Sequence, residues 1–475
     1  MKMGVRLGLL LGLLLLGTVA WAEECGLTPR EQALLERIEK LEQRVAQLEK
    51  PPVSAEPVCA APTEATSCKT PPEATAPAKK DGTDLRVFWK EGLRMESEDK
   101  AFTMSVGGKI QNDWAFFNQD EELELTVGDV NDGTEFRRAR LNVRGTIYDS
   151  IEYKAEYDFA NDTGSAAFTD VYMGLKGLPA VGNLRIGHFK EPFNLDILTS
   201  DSYTMFMEPA LPTAFAPSRN LGLMLFDTLL DKRMTWAVGV FKNVDNFPSL
   251  NDADEDQGYA VTARLTGLPW YADEGRKLLH LGASYSHRNP DGAVLGYSTR
   301  PEAHLAPPFV NTERFEGFRF LDARMDNVDL WDVEGLLILG PLTVQSEYTL
   351  SDVDTTFSGN HDLDGFYVQA GYLLTGETRS YDLAAGTPGK VKPKHNFGMK
   401  DPCGWGAWEA AIRYSTIDLN SGNIRGGQED DWTAGINWYL NTNTKVMLNY
   451  VWADIEHDLY EGDLDTLQLR FQVDF

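Results

Sequence analysis

The chain has 475 residues, 42% of them hydrophobic, and a formal net charge of −28. That length allows one large domain or two to three ordinary ones. The acidity argues against nucleic acid as a partner, and beyond residue 22 there is no run of about 18 apolar residues to form a membrane-crossing helix. A membrane barrel is not excluded, because strands that alternate apolar and polar residues average near-zero hydropathy.

Residues 1–22 read as a secretory leader. Lys2 and Arg6 open it, Leu7 to Val19 is apolar, and Ala20-Trp21-Ala22 fits a small-x-small cleavage site. Removing the leader brings the charge to −30. Cys25 lacks the small residues that a lipidation signal needs in front of it. Residues 23–50 form a helix segment. Thr28 caps it, Pro29 takes the first helical position, and Leu34, Ile38, Leu41, Val45 and Leu48 recur at heptad spacing. The expectation is a short coiled coil or a helix packed on a barrel mouth. Residues 51–84, rich in Pro, Ala and Thr, read as a disordered linker. Export permits disulfides among Cys25, Cys59, Cys68 and Cys403. Cys59 and Cys68 could close a small loop, but no zinc-ligand spacing exists.

From about residue 85 the pattern turns to aromatics, glycine and period-2 alternation. In the last segment Leu467, Leu469, Phe471, Val473 and Phe475 face one way, and Thr466, Gln468, Arg470, Gln472 and Asp474 the other. A strand ending in a terminal aromatic carboxylate resembles the signal read by the outer-membrane assembly machinery. Trp432 to Leu440, Val446 to Trp452 and Leu279 to Tyr285 alternate likewise, with Trp and Tyr suited to an interfacial girdle. Sixteen such segments start near residues 105, 135, 151, 168, 183, 219, 234, 256, 277, 327, 341, 363, 405, 430, 443 and 464. The fold class is therefore all-β, a 16-stranded antiparallel transmembrane barrel over 85–475 with both ends on the periplasmic side. Short turns should alternate with long outer loops, which are expected at 118–134, 191–218, 243–255 and 289–326. Residues 377–404 disobey: either a strand is miscounted there, or that turn is unusually large.

No catalytic set, metal cluster or cofactor motif is present; the seven His are scattered. The informative stretch is Arg137-Arg138-Ala139-Arg140-Leu141-Asn142-Val143-Arg144. In a strand Arg138, Arg140, Asn142 and Arg144 share a face. Charge on the lipid face costs a few kcal/mol at mid-membrane, so this row should line the lumen, where fixed arginines favour anions. By the same parity Lys109, Arg185, Arg264, Arg413 and Arg470 point inward. With Arg219 they complete the candidate pore-lining, anion-binding set. The alternative is that lumen acids such as Glu156, Asp158, Glu347 and Glu409 pair with these arginines and stiffen the wall without selectivity. Acids crowd the expected outer loops: Asp120, Glu121, Glu122, Glu124, Asp129 and Asp132 in one, and Asp252, Asp254, Glu255 and Asp256 in another. Divalent cations could bridge them to lipopolysaccharide. If they instead shape the entrance field, they repel anions.

Together, Phe136–Gly145 (FRRARLNVRG), Tyr153–Phe159, Arg185–Phe193 (RIGHFKEPF), Phe206–Gly222, Arg300–Ala306, Tyr372–Tyr381, Gly406–Leu419 and Asn437–Tyr450 resemble the phosphate-selective porin O and P family. The resemblance runs from about residue 85 to 475. It implies a trimer in outer-membrane lipid, a loop between Lys190 and Arg219 that folds inward to narrow the pore, and passive diffusion of small anions, phosphate or related oxyanions, with no enzymatic activity. The alternative function is a general porin whose coiled coil tethers the envelope from the periplasm.

Overall fold

The computed structural model describes residues 85–90, 92–160, 166–242, 258–290, 295–312, 324–398 and 404–475. The expected leader, N-terminal helix and linker lie outside these residues, as do all four cysteines and the acids Asp252, Asp254, Glu255 and Asp256.

Sixteen antiparallel strands close on themselves. They are β1 (Phe102–Gln119), β2 (Gly133–Ile147), β3 (Ile151–Asp158), β4 (Ala167–Leu178), β5 (Gly182–Lys190), β6 (Arg219–Leu229), β7 (Met234–Lys242) and β8 (Ala260–Ala272). The second half is β9 (Lys277–Arg288), β10 (Met325–Leu339), β11 (Leu342–Thr355), β12 (Gly359–Leu373), β13 (Ala407–Ser421), β14 (Ile424–Asn441), β15 (Thr444–His457) and β16 (Tyr460–Asp474). Each pairs with the next, and β16 pairs with β1 from Asp474 opposite Lys109 to Leu464 opposite Gln119. Period 2 decides the faces. On β14, Trp432 is half-exposed while Thr433 is sealed. Trp331, Phe366, Trp452 and Phe471 also look outward, as a lipid-facing surface requires.

One end carries the tight turns, 148–150, 179–181, 230–233, 273–276, 340–341 and 442–443. The other carries the connections 120–132, 159–166, 191–218, 243–259 and 289–324, with short ones after β11, β13 and β15. Helix α1 (Glu121–Val127) lies in the first of these and buries Leu123. Residues 374–406 are a true exception, a long connection at the tight-turn end. The strand count is right and that turn is large.

The inner face is not uniform. At the long-loop end the inside of β10–β16 is apolar. There Val328, Val353, Leu363, Ile417, Val451, Ile455 and Leu464 pack on Phe193, Leu211 and Phe215 of 191–218 and on Leu295, Phe309 and Val310 of 289–312. Inward positions on β12–β16 are buried almost throughout, whereas those on β2–β5 are mostly half-exposed. Inward-folded loops thus fill one half of the barrel and leave the other half wetter.

The seam depends on a glycine. Gly108 N–H donates to the Phe475 carbonyl at 2.7 Å, and Phe475 N–H donates to the Gly108 carbonyl at 3.0 Å. A Cβ on Gly108 would stand 2.4 Å from the Arg140 carbonyl oxygen and 2.8 Å from the Phe475 ring. Beyond Phe475 the edge of β1 is free, and a hairpin covers it. Leu85–Trp89 pairs with Leu93–Ser97, whose Leu93–Glu96 pair with Val106–Thr103, so the edge of β1 is covered by a hairpin whose outer strand is short.

Gly108→Val is therefore expected to lower the unfolding midpoint of the refolded barrel in denaturant, by about 1–3 kcal/mol of overpacking. Gly335→Ala, where the nearest heavy atom is 4.0 Å away, should leave it nearly unchanged. Equal effects would contradict this account of the seam.

Candidate functional site

An inward charge that is sealed from water needs a partner. Strand parity and one irregularity decide which charges those are. On β2 the register shifts: Gln111 faces Arg138 but Asn112 faces Phe136. Arg137 is the extra residue of a bulge, which re-aims side chains. Both Arg137 and Arg138 consequently reach acids of the inward loop, whereas period-2 reading put only Arg138 inside.

That loop, 191–218, begins with Asn194, whose Oδ1 accepts from Ile197 N–H at 2.9 Å and caps the short helix α2 (Leu195–Leu198). Wall residue Glu347 receives the N–H groups of Leu195 and Asp196 at 2.5 and 2.9 Å. The chain then descends to Asp201, which pairs with Lys109, with Arg138 at 2.6 Å and with Arg140 at 3.0 Å. Returning, it sets Glu208 against Arg137 at 3.0 Å and Arg470 at 2.7 Å. Burial alone would raise both carboxyls. Lys109, Arg138 and Arg140 hold Asp201 well below the usual carboxylate range, and Arg137 and Arg470 do the same for Glu208.

Two further segments enter. Glu302 pairs with Arg413 and accepts from Ser415 at 2.5 Å and from Thr433, while its carbonyl receives Gln468 at 3.0 Å. From the tight-turn end, Arg379 binds Glu409 at 2.7 Å and the Tyr203 carbonyl. Tyr381 meets His280 at 2.7 Å, and the Gly386 carbonyl receives Arg264 at 3.0 Å.

The expected cations therefore divide. All of Arg138, Arg140, Lys109, Arg185, Arg219, Arg264, Arg413 and Arg470 form ion pairs with acids of the wall or the loops. Arg138, Arg264, Arg413 and Arg470 are 8% exposed or less. Arg470 binds Asp113 at 2.6 Å, and Arg264 binds Glu334 at 2.6 Å. Of the acids expected as partners, Asp158 takes Arg140 at 2.7 Å and Glu156 takes Lys154 at 3.3 Å. Glu409 takes Arg379, and Glu347 caps the loop.

The wetter wall presents three cationic cross-strand pairs: Lys109 opposite Arg140, Arg144 opposite Lys154, and Lys190 opposite Arg219. Like charges directly opposite one another repel. Asp201 relieves the first pair. Asp170 binds Lys154 at 2.6 Å and Arg219 at 2.7 Å. Among the described residues neither Arg144 nor Lys190 has a carboxylate partner; Lys190 donates instead to the carbonyls of Ile197 and Thr199. Beside Lys190 a cavity of about 380 Å³ is lined by Asp170, Arg185, Trp236, Arg264 and Thr387 among others. Arg185 binds Glu152 at 3.0 Å and lies over Tyr172, 4.1 Å from the ring centre. Sequence reading passed over Lys154 and Lys190. The parity that placed Glu156 and Asp158 inward also places Lys154 there, and Lys190 was treated only as the loop boundary.

Residues 104–475 match the family described as phosphate-selective porin O and P. The chain belongs to this family. Porin O of Pseudomonas aeruginosa is 27% identical over 430 residues, covering 83% of this chain and 93% of that protein. An uncharacterized protein of Caulobacter vibrioides is 28% identical over 491 aligned positions, covering 96% and 93%. In fold, the barrel is similar to an anion-selective porin from Comamonas acidovorans, with a TM-score of 0.51 at 12% identity, covering 79% of this chain and all of that one. Family membership makes this chain an outer-membrane porin, a channel rather than an enzyme.

Asp201→Asn leaves Lys109, Arg138 and Arg140 without their shared carboxylate. The porin should lose about 1–3 kcal/mol of stability and gain anion over cation permeability in a planar bilayer. An unchanged permeability ratio would show that Asp201 does not tune the lumen charge.

Proposed function

We propose that this porin passes small anions by passive diffusion, phosphate or related oxyanions among them, along the cationic wall of β1–β6. The observation that carries the reading is the set of three like-charge pairs, in which exposed Arg144 has no ion-pair partner among the described residues. Fixed cations in a water-filled, protein-walled passage lower the energy of an anion and raise that of a cation. The names of the family and of the Comamonas acidovorans porin fit the same preference. In this reading the anion path runs along Lys109, Arg138, Arg140, Arg144, Arg185 and Arg219 of the candidate set, joined by Lys154 and Lys190. The sealed Arg264, Arg413 and Arg470 hold the inward segments in place. We place the tight-turn end toward the periplasm, with residues 23–84 on that side, and take the assembly to be a homotrimer.

Under a KCl gradient in a planar bilayer, the reversal potential should have the anion-selective sign. Replacing Arg144, Lys154 and Lys190 with Gln should cut the anion-to-cation permeability ratio severalfold. Replacing Lys176, which ends on the tight-turn side of β4, should not. A cation-selective wild-type channel, or a triple variant indistinguishable from it, would sink the proposal.

A further inference from the structure

Away from the cationic wall, β10 and β11 carry a different cluster. Asp332, Glu334 and Glu347 are 1%, 4% and 1% exposed, and each can offer an oxygen within 4.8 Å of the other two. One guanidinium answers them: Arg264, on Glu334. The loop residue Asp196, whose N–H Glu347 receives, is another buried acid. Negative charge is therefore in surplus where water is scarce, an arrangement that persists only with a counter-charge or with protons.

Much of the hydrogen-bonding capacity of the cluster is taken. Glu334 accepts from Arg264 and from His280 at 2.8 Å. Glu347 accepts from Leu195, Asp196 and Tyr367. Asp332 Oδ2 accepts from Thr349 at 2.8 Å and Asn194 at 3.3 Å. Two buried oxygens are left over. Asp332 Oδ1 has no hydrogen-bond partner, and neither does the Ser284 hydroxyl, which is 4% exposed and sits on β9 directly opposite Asp332. A serine hydroxyl and a carboxylate oxygen, both buried and without hydrogen-bond partners, thus stand at opposed positions on neighbouring strands, at the edge of surplus negative charge.

We propose that this cluster binds one divalent cation, calcium, through Asp332 Oδ1, carboxylate oxygens of Glu334 and Glu347, and the Ser284 hydroxyl. An all-oxygen donor set suits a hard cation rather than zinc or copper, and the irregular spacing suits calcium, with its flexible coordination, better than octahedral magnesium. Because Glu347 also caps α2 and Asn194 also binds Asp332, the ion ties the root of loop 191–218 to the wall. It thereby holds the acids Asp201 and Glu208 over the cations they neutralise.

The test is an equilibrium titration of the refolded full-length porin in detergent, stripped by chelator, with Ca²⁺ and separately with Mg²⁺. One saturable Ca²⁺ site per chain is expected, tighter than any Mg²⁺ binding. Asp332→Asn should abolish it, and Ser284→Ala should weaken it about tenfold. Asp454→Asn, on the outward face of β15, should leave it intact. Heat-modifiable migration checks that each variant is folded; if Asp332→Asn does not fold, Ser284→Ala decides. No saturable site, or one with the same affinity in the folded variants at 332 and 284, overturns the proposal. So does a site lost in Asp454→Asn, which would put the ion on the outer acids.

Discussion

A charged side chain on a barrel strand has no tolerable place against hydrocarbon, and the rest of this structure follows from that constraint. Period-2 geometry sends the arginines and lysines of β1–β6, β8, β13 and β16 inward. Once inside, most of them are balanced by acids of the wall and of the inward loops. Segments 191–218 and 295–312 enter carrying Asp201, Glu208 and Glu302, and each of these acids is met by wall cations. Connection 374–406 brings the reverse, Arg379 to wall acid Glu409. Pairing of this kind specifies where a loop must sit more than it adds to stability. Removal of one partner from a sealed pair such as Arg470–Asp113, however, leaves an uncompensated buried charge costing about 3–5 kcal/mol.

The balance is asymmetric, and the asymmetry makes a channel. On β12–β16 the loops pack as a hydrophobic core toward one end and as sealed ion pairs toward the other. On β1–β6 cations stand opposite cations, and among the described residues exposed Arg144 has no ion-pair partner. The overall charge of −28 does not contradict this. Much of the acidity of the second half of the barrel is on the outward face near the long-loop end, where Asp329 lies opposite Asp352, Asp352 opposite Asp362, and Asp430 opposite Asp454. Those carboxylates are turned away from the lumen.

The sequence carried the barrel almost completely. Strand starts, parity and the terminal strand are readable because alternation with a lipid face is imposed residue by residue, whereas the inward loop follows only from the family resemblance. The length of 374–406 was visible as an exception but not its cause, since insertion of a turn into the lumen depends on Arg264 and His280, more than a hundred residues away in the chain. Arg137 was misjudged because a bulge breaks parity without a sequence signal of its own. The candidate cations were read as facing inward, yet nothing local distinguishes Arg470, sealed by Asp113 and Glu208, from Arg144, which is exposed. That difference arises from which half of the barrel the loops choose to fill.

The central claim is that anions follow the β1–β6 wall. The most direct measurement is anomalous diffraction from crystals of the porin grown or soaked in bromide. Bromide should be found against Arg144, Lys154 and Lys190, and absent from the sealed arginines of β13 and β16. Bromide distributed without regard to that wall, or missing from it, would contradict the account.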